Sequence, residues 1–140
     1  MTIEITGGGI LGEQVRIPRR VLDTFDAPVH HGNTIYSSDE VTAVCPITGQ
    51  PDWYKVTIQV IGTRKLIESK SLKLYLQSFR EEGMFCEEFA SRITEDVKAA
   101  TNADIVTVEV KQKARGGVEI TTTSNVTRQF QAVELSLGKK

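Results

Sequence analysis

The period of the apolar residues changes once along the chain, and that change limits the folds open to it. Over 53–61, Tyr54, Val56, Ile58 and Val60 alternate with Trp53, Lys55, Thr57 and Gln59. A two-residue period puts the four apolar side chains on one face of a half-buried strand. Over 70–82 the spacing lengthens, with Leu72, Tyr75, Leu76 and Phe79 at i, i+3, i+4 and i+7. This is the stripe of an amphipathic helix, with Gly83 as its expected stop. A second helix is expected over 85–101, with Phe89, Ile93 and Val97 on one stripe. Glu87 and Glu88 fall in its first turn, where the helix dipole favours negative charge.

The flanks read as strands. TIYSSDEVTAV (34–44) leads towards Cys45, and the β-branched stretches 104–113 and 117–125 are joined around Arg115-Gly116-Gly117 as a β-hairpin. The tail to Lys140 holds a further short strand or frays. Strands, two helices and then a hairpin make an α+β fold rather than alternating βαβ units. A chain of 140 residues suffices for one domain with one core. With no repeat and no linker, a single domain over 1–140 is expected, in which residues 1–33 form an irregular arm rich in Gly and Pro.

Charge and composition exclude several classes of function. Net charge is -1, and the only basic cluster, Arg16, Arg19 and Arg20 around Pro18, is too short for a phosphate-binding face. Direct nucleic-acid binding is therefore not expected. No apolar run approaches the roughly 20 residues of a membrane span, and MTIEITGGGILGEQ lacks the regions of a secretory signal, so a soluble cytoplasmic protein is expected. Cys45 and Cys86 are the two cysteines and His30 and His31 the two histidines, too few for a structural zinc cluster, so no metal is expected. Gly7, Gly9 and Gly12 fit the dinucleotide fingerprint G-x-G-x-x-G. However, EQVRIPRRV behind them has a proline and no helical period, so the helix the fingerprint needs is missing.

VCPITGQPDWY (44–54) places a thiol and a carboxylate on one turn. A buried structural cysteine and a turn-capping aspartate are the bland readings. Against them, Pro46 follows Cys45 at once in a polar turn that suits an exposed site, and Pro46, Gly49 and Pro51 restrict the backbone up to Asp52. A thiolate nucleophile beside a proton donor suits attack on a carbon multiply bonded to nitrogen. In ESKSLKLY (68–75), Lys70 and Lys73 share one face of a helix start. Backbone N–H groups there attract anions, so the stretch is either a phosphate site or a solvated helix face.

Taken in order, CPITGQPD (45–52), ESKSLKLYLQSFR (68–80), FCEE (85–88) and ARGG (114–117) resemble the single-module NADPH-dependent 7-cyano-7-deazaguanine reductases, the nitrile reductases of queuosine biosynthesis. The resemblance runs from about Cys45 to Thr123, and ESKSLK is its signature. It implies the tunnelling fold: an antiparallel sheet with two helices on one face, whose subunits join into an oligomeric β-barrel, typically a decamer of two stacked pentamers with active sites between subunits. It also implies catalysis by Cys45, which attacks the nitrile carbon to form a thioimide, and by Asp52, which moves protons to the nitrogen. Two NADPH would take the nitrile to the primary amine.

By the same resemblance, Ile67, Glu68, Ser69, Cys86 and Glu87 bind the 7-deazapurine substrate, and Lys70, Lys73 and Arg115 hold NADPH phosphates. Many relatives have histidine where this chain has Cys86, which puts a proton relay at that position in doubt. Cys86 is instead expected close enough to Cys45 to form a disulfide on oxidation. Two rivals stand beside the reductase. One is amidinotransferase-type addition of ammonia to the same nitrile, and the other is a non-catalytic purine-binding protein of this fold.

Overall fold

In the computed structural model, residues 18–129 are described, and the Gly7–Gly12 stretch, Arg16 and the tail to Lys140 lie outside them. The elements run β1 (Thr24–Asp26), β2 (Asn33–Val44), β3 (Pro51–Ile61), β4 (Lys65–Ile67), α1 (Ser69–Gln77), α2 (Cys86–Thr101), β5 (Ile105–Arg115) and β6 (Val118–Thr127). The four long strands form one antiparallel sheet in the order β2-β3-β5-β6, and β1 pairs with β4 separately.

The periodicities explain the packing. The alternating residues of β3 turn Tyr54, Val56, Ile58 and Val60 inward, where they share a core with Leu72, Tyr75, Leu76 and Phe79 of the α1 segment and with Phe89, Ile93 and Val97 of α2. Four aromatic rings run through that core edge-on: Tyr54 to Phe89 at 5.3 Å, Phe89 to Phe79 at 4.9 Å and Phe79 to Tyr75 at 5.2 Å. The β5–β6 hairpin turns where expected. Gly116 and Gly117 have φ of 57° and 78°, the pair of left-handed residues that a tight hairpin turn requires.

Three expectations are corrected. The first helix ends at Gln77, and Phe79, Arg80 and Glu82 continue in tighter turns by donating to carbonyls three residues back. Gly83 is not its stop but bridges to Val44, and a Cβ there would meet Pro46 Cα at 3.4 Å. Its lack of a side chain lets the chain pass close to the Cys45 loop. The arm is not wholly irregular either, because β1 lies within it. There Arg20 stacks 4.0 Å over the Phe79 ring and pairs with Glu82, tying the arm to the end of the α1 segment.

Candidate active site

Two β-bulges bring the site together. Between Ser38, opposite Val56, and Val41, opposite Tyr54, β2 has three steps against two in β3. One extra residue shifts the inward face from even to odd positions. Val41 and Ala43 are thus buried, and Cys45 is the next position on that face. Ala43 pairs with Asp52, which shares the inward face of β3 with Tyr54. In β5, Gln112 and Arg115 oppose Ile120 and Val118, again three steps against two. Ile120 and Val118 share a face of β6, so Gln112 and Arg115 share one face of β5. Gln112 is the cross-strand partner of Tyr54. The second bulge therefore aims Arg115 at the side of the sheet that carries Asp52.

The Cys45 loop is held by its main chain. Cys45 N donates to Gln50 O at 2.8 Å and Gly49 N to Cys45 O at 2.9 Å, while Val44 N donates to Glu82 O at 3.0 Å and Met84 N to Val44 O at 3.2 Å. Contrary to the exposed site expected, Cys45 is only 7% exposed. The residues around it from Pro46 to Gln50 are exposed, so the pocket is shallow and burial raises the thiol pKa little. Hydrogen bonds dominate: the Thr48 hydroxyl, the Thr48 N–H, the Arg115 guanidinium and the Ile47 N–H favour the thiolate and bring the pKa from 9.0 down to about 6. Thr48 Oγ1 also lies 3.4 Å from Gln50 Oε1. That is long for an O–H···O bond, so the thiolate is the better acceptor. At neutral pH most of Cys45 is thiolate.

Asp52 is buried at 4% exposure, and its Oδ1 lies 3.1 Å from Arg115 Nε as an ion pair. The contact lacks hydrogen-bond alignment. One guanidinium thus serves both the thiolate and the carboxylate. Arg115, expected to hold phosphate with Lys70 and Lys73, is carried by the β5 bulge to Cys45 and Asp52.

Cys86, at the first position of α2, is buried, and its Sγ donates to Val110 O at 3.6 Å. Burial, then the charge of Glu87, pushes its pKa up to about 11, so it is a neutral thiol turned to main chain rather than to open space. Both cysteines are free. Glu87 follows it, exposed in the first turn of α2.

The residues before and in α1 form a second group. Ile67 is buried in the core and its N–H donates to Tyr36 Oη at 3.0 Å. The Glu68 carboxylate caps α1, accepting from Lys70 N and Ser71 N at 2.8 Å each. Of the two readings of this helix start, a phosphate site or a solvated face, the cap bears on the first, because the chain's own carboxylate takes these two N–H groups. Ser69 and Lys73 line a cavity of about 390 Å³ between α1 and the sheet, with Tyr36, Glu40, Leu72 and Arg80 also on its wall. Glu68→Ala should lower stability by about 1 kcal/mol, the usual loss for a helix cap, as read by chemical denaturation. An unchanged midpoint would show that the cap contributes nothing.

Thr48, Tyr54 and Arg80 escape sequence reasoning as site residues. Thr48 lies inside the CPITGQPD turn, and only its side-chain chemistry could flag it. Tyr54 reads as core, which it is, and Arg80 merely closes the ESKSLKLYLQSFR stretch.

The QueF-like protein family matches residues 51–131. The chain is 41% identical over 110 residues to an NADPH-dependent 7-cyano-7-deazaguanine reductase of Frankia casuarinae, covering 79% of this chain and 88% of that protein. It is 42% identical over 116 residues to the protein of the same name from Syntrophus aciditrophicus, covering 80% and 81%. Among solved structures, the apo form of an archaeosine synthase QueF-Like superposes with a TM-score of 0.64 at 27% identity, covering 68% of this chain and 93% of that one. Among the described residues, no helix is long and apolar enough to cross a membrane.

Proposed function

The chain belongs to the QueF-like family, that of the NADPH-dependent 7-cyano-7-deazaguanine reductases, and we propose that it reduces the nitrile of 7-cyano-7-deazaguanine to the primary amine of 7-aminomethyl-7-deazaguanine. The observation that carries this reading is the Cys45 thiolate set beside a buried Asp52 with Arg115 serving both. Cys45 Sγ adds to the nitrile carbon. One π bond of C≡N opens as the S–C bond forms, and the electron pair on nitrogen takes a proton that Asp52 first takes up from solvent and passes on, which leaves a thioimide and returns Asp52 to its carboxylate. Arg115 and the N–H groups of Ile47 and Thr48 hold the sulfur as an anion before attack and stabilise it again when the bond to carbon breaks. Glu87 has two acceptor oxygens and is open to solvent, which suits the N–H donors of a guanine-like edge. Near α1, Ser69 offers a hydroxyl to the substrate. Ile67 and Glu68 contribute their main chain, since their side chains serve the core and the helix cap.

The cavity beside α1 fits NADPH in its chemistry. Its walls include the apolar side chains of Val41, Leu72 and Leu76, with Lys73 and Arg80 as cations for phosphate. Lys70 lies on the same turn. Bound there, NADPH supplies hydride, and two hydrides are the four electrons between a nitrile and an amine.

The residues at Cys45 and those at α1 sit on separate elements, and among the described residues β2 and β6 are the outer strands of the four-stranded sheet. Exposed Ile35 and Trp53 lie on the face away from the helices. All three features support assembly edge to edge into a closed barrel, a homo-oligomer of two stacked pentamers with each site shared between subunits.

The test is absorbance at 340 nm during incubation with 7-cyano-7-deazaguanine. Two NADPH oxidised per nitrile, with the primary amine as product, is the expected result. The fold neighbour named archaeosine synthase keeps a second reading in view, addition of ammonia to the same nitrile. A protein–nitrile adduct without NADPH oxidation would favour that reading and remove the reductase.

A further inference from the structure

β3 carries a hydroxyl that the proposed chemistry does not use. Tyr54 is 0% exposed, its ring is fixed edge-on against Phe89, and its hydroxyl has no hydrogen-bond partner among the described residues. Two positions earlier on the same inward face is Asp52, whose Oδ1 is also buried and makes no hydrogen bond. An unsatisfied buried hydroxyl is costly, and phenylalanine would fill the same space without that cost. Two such atoms from neighbouring side chains on one face of one strand are complementary, because a phenol donates and a carboxylate oxygen accepts.

We propose that Tyr54 is the positioning residue for Asp52: its hydroxyl donates to Asp52 Oδ1 in the working site and so turns Oδ2 towards the reacting nitrogen. This rests on the reading of Asp52 as the proton donor to the nitrile. The groups that face the Tyr54 hydroxyl are Asp52 from its own strand, Cys86 from α2 and Arg115 from β5. Burial, then the Asp52 charge, pushes the phenol above its ordinary range, so it remains a donor throughout the neutral region. Cys86, itself pushed up to about 11, is uncharged there and does not compete with Asp52 as an acceptor. Arg115 already holds Oδ1 by charge, and the tyrosine adds the direction that an ion pair lacks.

The test is Tyr54→Phe, read by the rate of protein–nitrile adduct formation, by the kcat and KM of NADPH turnover and by chemical denaturation. The rate of adduct formation and kcat should each fall about tenfold, with KM for the nitrile unchanged. Stability to denaturant should match or exceed wild type. Unchanged adduct formation and kcat overturn the inference, as does a stability loss with an unchanged kcat, which is what a tyrosine needed only for packing would give. If the wild-type protein oxidises no NADPH with the nitrile, the proposed function falls instead, and the adduct-formation rates of wild type and Tyr54→Phe still decide the role of Tyr54.

Discussion

Cys45→Ala is expected to lose turnover by a factor on the order of 10⁴–10⁶, the scale set by removing a catalytic nucleophile. The same substitution should abolish the mass increase of the protein with 7-cyano-7-deazaguanine. The physical case is that the loop does not depend on the sulfur. Its shape is set by Cys45 N to Gln50 O and Gly49 N to Cys45 O, both main-chain bonds, and alanine keeps them. A folded variant that still binds the nitrile through Glu87, yet neither forms the adduct nor oxidises NADPH, isolates the loss to S–C bond formation. Wild-type turnover by Cys45→Ala would remove the thioimide from the mechanism. It would also leave another nucleophile to be found.

The second large effect lies in the charge state of that sulfur. The Cys45 pKa is about 6 because donors favour the thiolate, so each donor removed must move it up. Thr48→Val takes away the largest contributor and should raise the midpoint by about one pH unit, and adding Arg115→Met should raise it by about one more, towards an ordinary thiol. The thiolate fraction grows as pH rises through the midpoint. At a pH near the wild-type value, alkylation by iodoacetamide should therefore slow by up to about tenfold each time the midpoint climbs by one on the pH scale. Cys86 does not interfere, since its thiol is buried and titrates near 11. Arg115→Met carries a further penalty for turnover, because it leaves Asp52 buried without its ion-pair partner. Thiol absorbance and alkylation rate against pH give the midpoints. Identical midpoints in wild type and both variants would show that neither group stabilises the thiolate.

Much of the fold was legible because its signals are local. The alternation of 53–61, the helical stripe through Leu72, Tyr75, Leu76 and Phe79, and the paired glycines at 116–117 each need only a few adjacent residues to be read. Less was legible where local signals have two outcomes. A lysine-rich helix start can present its N–H groups to an anion, or the chain can cap them itself. Glu68, directly before α1, does the latter. Gly83 could end a helix or allow close approach of the backbone, and its contact with Pro46 shows the second.

Cys45 and Asp52 could be paired from the sequence alone because a short, Pro- and Gly-restricted turn separates them. The sequence by itself thus determined the α+β order, the core faces of the long elements and the neighbourhood of Cys45 and Asp52 on one turn. Only the tertiary structure decided that Arg115 joins that pair, that Cys45 faces inward, and that Tyr54 buries its hydroxyl on the face that carries Asp52. The physical reason is the β-bulge. One extra residue in a strand reverses which side chains point to which face of the sheet. Whether a strand takes up that residue depends on pairing with its neighbours, at Ser38/Val41 opposite β3 and at Gln112/Arg115 opposite β6, and pairing is a property of the assembled sheet.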